Sequence, residues 1–569
     1  MLIFILLLSF LTQLSYTYVA IRTFHGTLKG VPSLVSPRIT EFLGVPYAEP
    51  PLGPLRFKKP KPLPCDYYGE GLIVNRYAKA CIQLPRKYKF KGYKSWYPEK
   101  YKMSEDCLQL NMWVPKKPNG AVIVFLFGGE YTHGSASIDY YNGNFLAAKT
   151  GVIVITLNYR LGVFGFAYYR PYDLGGIPGN LGLLDQQLGL RWIRDNIGFF
   201  GGDPKKVTLF GQGSGGAMAT AHLYAPGSSH LFRRIIASSG TIHHKWATSR
   251  ASFVRHNFEN LIKSVKCDDG FYIDHIKCMQ NVTASELALK ASLISHPEQQ
   301  YLSEAPFIPV DKDDIFFYGN LTTFYRKRGF VKWKIDLFIG KTEDEASLFM
   351  GLKLGNSTSN CSLNFNVSME SIENQCNMTK QDYNFVVQLI AHNEHLTNLS
   401  LPIIKQVYKK KKSFREKALR ALSDFDFNCD SNDFAKIINE ENMGSVFYYN
   451  FKNRSLSNPW PKWMGAMHGY DMLYIFGYPF YNPEYYNKTK DLKTEKEISL
   501  KIMNVISGFA MYGNITREVD NFNLSDCGNE PCKNKFELGK YNSTNFDKNG
   551  TCSDVEFIRQ KYRYQDPLF

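Results

Sequence analysis

Short, mostly apolar runs recur along the chain, and each is bounded by glycine, asparagine or charged residues. The clearest runs are residues 121–127, 152–157, 207–210, 335–339 and 446–451. Continuous runs of this length predict strands that are covered on both faces, as in parallel sheets. Between the second and third runs, apolar residues recur at helical spacing: Leu181, Leu184, Leu188 and Trp192. The pattern predicts an α/β fold with a large, mostly parallel central sheet and helices on both faces.

The third run leads into a glycine-rich turn and then into a predicted helix, in the sequence VTLFGQGSGGAM of residues 207–218. A strand, a turn and a helix in this order form the nucleophile elbow G-x-S-x-G, a strained bend that presents a serine hydroxyl above the sheet. In this chain the middle position is Gly213, and the nearest hydroxyl belongs to Ser214, one residue later. The turn is therefore predicted to persist without a nucleophile at its apex.

The length of 569 residues, without internal repeats or low-complexity linkers, favours a single domain over residues 18–569. The first 17 residues are predicted to be a secretory signal. Their aliphatic run over residues 2–10 is followed by Ser15 and Thr17, at the small-residue spacing that signal peptidase prefers. The run is too short to span a membrane, which takes about 20 apolar residues. We expect the mature protein to be soluble and extracellular.

Cysteine content and acceptor sequences for N-glycans agree with export. The chain has 11 cysteines, which in a secreted protein indicate disulfides. The N-x-[ST] sequences begin at Asn281, Asn320, Asn356, Asn360, Asn366, Asn377, Asn398, Asn453, Asn487, Asn514, Asn523, Asn542 and Asn549. The net charge of +16 is compatible with binding to anionic surfaces and equally with a basic, solvated surface that has no such partner. No helix-turn-helix, zinc-finger or RNP pattern accompanies that charge, so nucleic-acid binding is not expected.

Five longer segments resemble those of type-B carboxylesterases and cholinesterases, and they occur in the same order. They are EFLGVPYAEPPLGPLRFKKP at residues 41–60, SEDCLQLNMW at 104–113, LNYRLGVFGF at 157–166, PGNLGLLDQQLGLRWIRDNIGFFGGDPKKVTLFG at 178–211 and MHGYDMLYIFG at 467–477. Several ordered matches are far more specific than one motif. The chain is accordingly identified as a member of this family, and the resemblance implies the α/β-hydrolase fold.

The resemblance also implies a site for acyl transfer. Such a site needs a nucleophile, a general base, an acid that orients the base, and donors for the oxyanion. Glu345 matches the orienting glutamate, although Ala346 replaces the glycine that usually follows it, and His468 matches the general base. The nucleophile position holds Gly213. Ser214 matches the next residue, whose backbone amide contributes to the oxyanion hole, and its hydroxyl is the alternative nucleophile.

The predicted oxyanion hole is altered as well. Where the family carries three glycines, this chain has Gly128, Gly129 and Glu130, and Gln212 replaces the acidic residue that usually precedes the serine. The Glu130 carboxylate either opposes the developing negative charge or points outward and leaves its amide in place. Trp96 resembles the tryptophan on which cholinesterases hold a quaternary ammonium group; a tryptophan simply packed in its loop is the alternative.

The resemblance further implies structural bonds. Three implied disulfides are Cys81–Cys107, Cys267–Cys278 and Cys429–Cys552, and two further candidate pairs, Cys361–Cys376 and Cys527–Cys532, would leave Cys65 unpaired. Two implied ion pairs are Arg56 with Glu105 and Arg160 with Asp185.

No cofactor or metal is expected. The glycines Gly211, Gly213 and Gly216 fit a dinucleotide fingerprint, but the acidic residue that should follow about 20 positions later is missing.

Two functions are compatible with these residues. The first is a secreted cholinesterase-like protein that has lost hydrolysis and binds an extracellular protein or a small ester or amine, because the nucleophile position and the oxyanion hole are both altered. The second is an active carboxylic-ester hydrolase that uses His468 and Glu345 with a displaced serine such as Ser214. Relatives that use the same fold for recognition make the first function reasonable by analogy, and a homodimer stays open.

Overall fold

The computed structural model describes residues 18–85, 90–94, 96–98, 102–171, 175–294, 305–326, 329, 334–354, 361–441, 444–486, 492–523, 525–526, 531–548 and 550–564. The predicted secretory signal, residues 1–17, lies outside these ranges. No helix within them combines the length and the apolar character that crossing a membrane requires.

The described part of the chain has eighteen strands, of which twelve form one mixed sheet and six form three separate two-stranded sheets. The strands are β1 (Val19–Thr23), β2 (Gly26–Pro32), β3 (Ile39–Pro46), β4 (Leu72–Ile73), β5 (Ala80–Cys81), β6 (Met103–Ser104), β7 (Gln109–Pro115), β8 (Val122–Leu126), β9 (Ile153–Leu157), β10 (Tyr168–Tyr169), β11 (Ile177–Pro178), β12 (Val207–Gln212), β13 (Arg234–Ser238), β14 (Lys312–Asp313), β15 (Gly319–Asn320), β16 (Asp336–Thr342), β17 (Val446–Phe451) and β18 (Phe536–Lys540). The sheet order is β1-β2-β3-β7-β9-β8-β12-β13-β16-β17-β18, with β4 beside β2.

The helices follow or separate these strands. They are α1 (Lys91–Lys94), α2 (Asn144–Thr150), α3 (Gly162–Phe166), α4 (Leu181–Asn196), α5 (Ser214–Ala221), α6 (Ala251–Ser264), α7 (Tyr272–Asn281), α8 (Ala284–Ser292), α9 (Leu321–Arg326), α10 (Ser347–Lys353), α11 (Lys380–Asn393), α12 (Leu401–Val407), α13 (Phe414–Ser423), α14 (Cys429–Glu440), α15 (Met472–Ile475), α16 (Tyr478–Tyr481), α17 (Leu492–Tyr512), α18 (Thr516–Asn523), α19 (Ser543–Phe546) and α20 (Thr551–Tyr562). A single π-helical turn, Asp424–Asn428, joins α13 to α14.

The centre of the sheet explains the continuous apolar runs. Strands β9, β8, β12, β13, β16 and β17 are parallel to one another, and every residue of β8, β9, β12 and β13 is buried. Side chains on both faces of a covered strand must be apolar, so the alternation typical of exposed sheets is absent. The five predicted strands are confirmed as β8, β9, β12, β16 and β17, and the predicted helix as α4.

Two parts of the sheet were not predicted. Strand β13 lies between β12 and β16, but its short apolar core follows two arginines, Arg233 and Arg234, which obscure the pattern. Arg234 is buried at the strand's start and donates a hydrogen bond to the Ala510 carbonyl at 3.0 Å. At both ends the sheet is antiparallel, through β1, β2, β3 and β7 on one side and β18 on the other. The sheet is therefore parallel at its centre and mixed as a whole.

The predicted covalent and ionic bonds of the scaffold are largely confirmed. Disulfides join Cys81–Cys107, Cys267–Cys278, Cys361–Cys376 and Cys429–Cys552, and Cys65 is a free, exposed cysteine. Cys527 lies outside the described residues, so its pairing with Cys532 stays a prediction. Arg56 pairs with Glu105 and Arg160 with Asp185, each at 2.7 Å. Arg160 and Asp185 are almost fully buried, so either residue alone would leave an uncompensated charge in the core.

Among the acceptor sequences for glycans, Asn453 does not fit the prediction. Its side chain is buried, and its amide donates a hydrogen bond to the Tyr474 hydroxyl at 2.6 Å. A buried asparagine cannot carry a glycan in the folded state. Other acceptor asparagines are exposed: Asn281, Asn366, Asn377, Asn398, Asn514 and Asn542.

Candidate active site

The nucleophile elbow is present as a backbone structure. Strand β12 ends at Gln212, helix α5 begins at Ser214, and Gly213 between them has φ +58° and ψ −124°. The Gly213 amide donates to the Ser238 carbonyl at 2.8 Å, and the Gly213 carbonyl accepts from the Ala217 amide at 3.0 Å. The bend is therefore held at both of its ends. Positive φ is strained for most residues and unstrained for glycine.

A side chain at the apex of this turn would point at the histidine. A Cβ atom placed on Gly213 would lie 2.8 Å from Nε2 of His468. Real Cβ atoms essentially never make contacts shorter than 3.0 Å, so the imidazole must shift to admit a side chain. The structure thus brings together the predicted nucleophile position and the predicted general base, with the nucleophile absent.

Ser214 does not take the place of that missing side chain. It is the first residue of α5, where the helix turns each successive side chain by about 100°. Its hydroxyl is buried and has no hydrogen-bond partner in the part of the chain that is described, His468 included. Ser214 nevertheless lines the same cavity as His468, which keeps its backbone amide close to the elbow.

The two residues of the predicted acid–base pair, His468 and Glu345, are hydrogen-bonded to each other. Nδ1 of His468 donates to Oε2 of Glu345 at 2.6 Å, and the Thr342 amide donates to Oε1 of Glu345 at 2.7 Å. Burial alone would raise the pKa of Glu345, but the nearby His468 and hydrogen bonds from His468, Ser239 and Thr342 hold that pKa below its usual value. Glu345 is fully buried and is therefore an ionised acceptor that orients the imidazole.

Two aromatic rings also pack against the histidine. The rings of Phe349 and Phe427 each lie 5.1 Å from the His468 ring, measured between centroids. Phe427 belongs to the π-helical turn between α13 and α14. Single π-helical turns of this kind are frequent at functional sites, where they redirect one side chain. With Nδ1 bound to Glu345, Nε2 is the ring nitrogen that faces the cavity.

A second buried carboxyl, that of Asp471, lies near His468 and Glu345. It was not predicted from the sequence. Asp471 accepts hydrogen bonds from the Ser238 hydroxyl at 2.7 Å and from the Tyr449 hydroxyl at 2.8 Å. Burial raises its pKa to about 6. The signal available in the sequence was its place three residues after His468, in MHGYD.

The predicted oxyanion loop follows β8 and packs tightly against the elbow. A Cβ on Gly128 would lie 2.4 Å from the Gln212 carbonyl oxygen, and one on Gly129 would lie 2.0 Å from the His133 carbonyl oxygen. Both positions therefore require glycine. Glu130 has φ +54°, and its carboxylate forms an ion pair with the ammonium group of Lys353 at the end of α10. The negative charge that sequence reasoning placed at this loop is thus compensated by a cation 223 residues away.

One cavity joins these residues, and we call it the inner cavity. Its volume is about 80 Å³. It is lined by Gly213, Ser214 and His468, by the oxyanion loop Gly128–Glu130, by Gln212, and by aromatic residues that include Trp96, Tyr97, Trp246 and Phe427. Trp96 also packs on Trp460, with ring centroids 5.9 Å apart. Trp96 thus packs on a neighbour and also faces the cavity, and its contact with an ammonium group stays a prediction.

Comparisons with known proteins identify the family of this chain. The sequence model of the carboxylesterase family matches residues 16–553. Mouse cholinesterase (Mus musculus) is 32% identical over 504 residues, which cover 87% of this chain and 78% of the mouse protein. Acetylcholinesterase 4 of Caenorhabditis briggsae is 34% identical over 512 residues, covering 87% and 81%. Acetylcholinesterase of Electrophorus electricus is 31% identical over 539 residues, covering 88% and 81%. The chain belongs to the carboxylesterase family and has its α/β-hydrolase fold.

Proposed function

We propose that the chain is a cholinesterase-like protein that does not hydrolyse esters and acts by binding. The observation that carries this proposal is the apex of the elbow. The backbone of Gly213 directs a missing side chain toward Nε2 of His468, and no other hydroxyl bonds to that nitrogen within the described residues. A base without a nucleophile cannot form an acyl-enzyme.

The fold tolerates the absence of a side chain at position 213 because the elbow depends on its backbone conformation and not on that side chain. Glycine adopts the positive φ of the apex without strain, so replacing a serine there costs the fold little. The chemistry depends on the missing atom instead. Removal of a nucleophile from a catalytic triad lowers the rate by about 10⁶-fold, which leaves turnover close to background.

Turnover of simple esters tests the proposal. The purified full-length chain is assayed with aryl and choline esters against a heat-inactivated sample of the same preparation. We expect equal rates in both samples. His468→Ala is the matched control, because turnover that survives this change comes from another site or a contaminant. Turnover well above the inactivated sample that His468→Ala abolishes would overturn the proposal.

The inner cavity supports binding of a small ester or amine, with an extracellular protein as the other ligand class. Trp96 presents an aromatic ring to the cavity, and such rings bind quaternary ammonium groups through cation–π attraction. Tetramethylammonium is a suitable probe. Binding in this cavity predicts saturable quenching of tryptophan fluorescence that is lost in Trp96→Ala and kept in Trp463→Ala, a tryptophan outside the inner cavity.

An active hydrolase that uses Ser214 is the second candidate, and the intact bond between His468 and Glu345 favours it. A reactive serine is labelled covalently by an organophosphate, and peptide mapping then identifies the labelled residue. An adduct on Ser214 would establish this function. We expect the peptide of residues 207–218 to be recovered unlabelled.

We also propose that the protein is exported. The four disulfides between described cysteines are typical of oxidising compartments, and six acceptor asparagines are exposed on the surface. Expression in a secretory host with the natural N-terminus should deliver the protein to the medium with glycans that a glycosidase removes. Retention inside the cells without glycans would contradict export.

A further inference from the structure

A cleft separate from the inner cavity lies between the end of α11, the start of α12 and the segment that follows α20, and we call it the C-terminal cleft. Its lining includes Gln388, His392, His395, Asn398 and Tyr564. Its volume is about 190 Å³. Sites for drug-sized ligands usually enclose about 300–1,000 Å³, so the C-terminal cleft suits a smaller group, such as one sugar ring.

Backbone hydrogen bonds hold the two sides of the C-terminal cleft together. The Thr397 amide donates to the carbonyl of the last residue in α20 at 2.8 Å, and the Tyr564 amide donates to the His395 carbonyl at 2.9 Å. Leu396 and Arg563 form an antiparallel bridge between these two bonds. The main chain therefore fixes the position of Tyr564 relative to the end of α11.

The lining of the C-terminal cleft favours an uncharged ligand. No carboxylate, lysine or arginine is among the lining residues that the structure describes. Burial, together with the nearby cations Lys245 and Arg563, lowers the pKa of His395, so this imidazole is uncharged at neutral pH. Leu396 is buried, and the ring of Tyr564 is 58% exposed. A sugar matches this lining, because it combines an apolar face with several uncharged polar groups.

The polar side chains of the cleft are available to a ligand. Gln388, His392 and His395 are exposed, and their side chains form no hydrogen bond within the described part of the chain. A side-chain amide offers two donors and an acceptor, and a neutral imidazole offers one of each. The hydroxyl and N-acetyl groups of a sugar can therefore pair with these side chains while its apolar face lies on Tyr564.

Asn398 brings a sugar to this cleft. It begins an N-x-[ST] acceptor sequence, its side chain is exposed and lines the cleft, and that side chain has no hydrogen-bond partner among the described residues. Attachment joins the Asn398 amide nitrogen to C1 of N-acetylglucosamine, displaces a lipid-linked diphosphate and releases one amide proton. The first ring is then tethered at the cleft, where weak contacts suffice because its effective concentration is on the order of millimolar.

We infer that the first N-acetylglucosamine of a glycan on Asn398 binds in the C-terminal cleft. Its apolar face packs on Tyr564, and its polar groups pair with Gln388 and His392. The bound ring covers the segment after α20 and links it to α11. This inference rests on the proposed export, because N-glycans are added to chains that enter the secretory pathway, and it is independent of Gly213.

Nitration of tyrosine in the full-length chain tests the inference. The protein is secreted from a host that makes high-mannose glycans and is trimmed with an endoglycosidase that leaves one N-acetylglucosamine at each occupied asparagine. Peptide mapping then measures the occupancy of Asn398 and the nitration of Tyr564 by tetranitromethane, relative to the exposed Tyr67. Nitration of Tyr564 should be at least about 5-fold slower than in Asn398→Gln, because a tethered ring occupies its cleft most of the time. Asn377→Gln removes another exposed acceptor and is the matched control, with nitration as in the unchanged chain.

A double variant distinguishes a bound ring from one that only lies above the tyrosine. Gln388→Ala with His392→Ala removes two exposed side chains and keeps the glycan. It should raise nitration of Tyr564 at least about 2-fold, with normal thermal unfolding, because lost hydrogen bonds lower the occupancy of the cleft.

Three results would overturn the inference: an empty Asn398 beside occupied acceptors elsewhere, equal nitration of Tyr564 in the unchanged chain and in Asn398→Gln, or nitration that the double variant leaves unchanged. Absence of glycans from every acceptor would overturn the proposed export as well. Ester turnover would overturn the proposed loss of hydrolysis and leave the nitration result standing, so these failures are distinguishable.

Discussion

The two halves of the candidate site have changed to different extents. In the acid–base half, His468 and Glu345 keep a 2.6 Å hydrogen bond between a buried carboxylate and an imidazole that faces the cavity. In the elbow half, the backbone is retained, but Gly213 has no side chain and Glu130 stands where the resemblance implies a glycine. The comparison teaches that the fold preserves backbone paths independently of the side chains that perform chemistry.

Within the elbow, the glycines differ in the same way. A Cβ on Gly211 would lie 2.0 Å from the Gly215 carbonyl oxygen, and one on Gly215 would lie 2.1 Å from the Leu126 carbonyl oxygen. These contacts are between backbone atoms and cannot relax. At Gly213 the nearest atom belongs to the His468 side chain, which can move. Packing therefore requires glycine at Gly211 and Gly215, and it does not require glycine at Gly213.

The largest expected effect comes from breaking the backbone contact. Gly211→Val places a branched side chain against the backbone of α5 and should destabilise the fold by more than about 4 kcal/mol, or prevent soluble expression. Gly213→Ala is the matched change and should cost about 1–3 kcal/mol, because it adds positive-φ strain and a contact that the His468 side chain can relieve by shifting. Urea unfolding measures both. Equal losses in the free energy of unfolding for the two variants would show that packing does not distinguish Gly211 from Gly213.

The oxyanion loop is expected to affect the rate of hydrolysis. In a Gly213→Ser background, Glu130→Gly should raise the rate of ester hydrolysis by about 10-fold, or about 1.4 kcal/mol in the barrier, because it removes a carboxylate that its ion pair with Lys353 compensates only in part. Glu130→Gln in the same background should give a smaller gain, since it removes the charge and keeps the side chain. Rates unchanged by both substitutions would mean that Lys353 already neutralises Glu130 completely.

Asp471 predicts a pH dependence of stability. Its pKa is raised by burial from 3.8 to about 6, so the folded state holds the proton more tightly than the unfolded state. Its stabilising contribution is complete below about pH 4 and is lost as the pH rises to about 6, an effect of about 2–3 kcal/mol. Asp471→Asn should remove this dependence in urea unfolding at a series of pH values. If Asp471→Asn leaves the pH dependence of the free energy of unfolding unchanged, the assignment of that dependence to Asp471 is contradicted.

Ser214 carries the smallest expected effect. Its hydroxyl is buried without a hydrogen-bond partner in the described part of the chain, so Ser214→Ala should change the free energy of unfolding by less than about 1 kcal/mol. It should also leave any organophosphate labelling as it was. Labelling that is present in the unchanged chain and lost in Ser214→Ala would identify Ser214 as the nucleophile. The elbow half of the site would then be catalytic.

Sequence patterns predicted those parts of the molecule that depend on neighbours along the chain. Strand β12 and the glycine turn follow from local composition, and His468 and Glu345 follow from the resemblance of their surrounding segments. The ion pair between Glu130 and Lys353 could not be predicted, because it joins residues 223 positions apart without a motif. The burial of Asn453 was hidden for the same reason, since its hydrogen-bond partner Tyr474 lies on another element.

The most direct test of the central claim is ester turnover by the unchanged chain and by Gly213→Ser, measured side by side. The account predicts background rates for the unchanged chain and a clear gain for Gly213→Ser, because the new hydroxyl would lie beside Nε2 of His468. Gly213→Ala measures the effect of added bulk alone and should stay at background. Hydrolysis by the unchanged chain at a rate equal to that of Gly213→Ser would contradict the account.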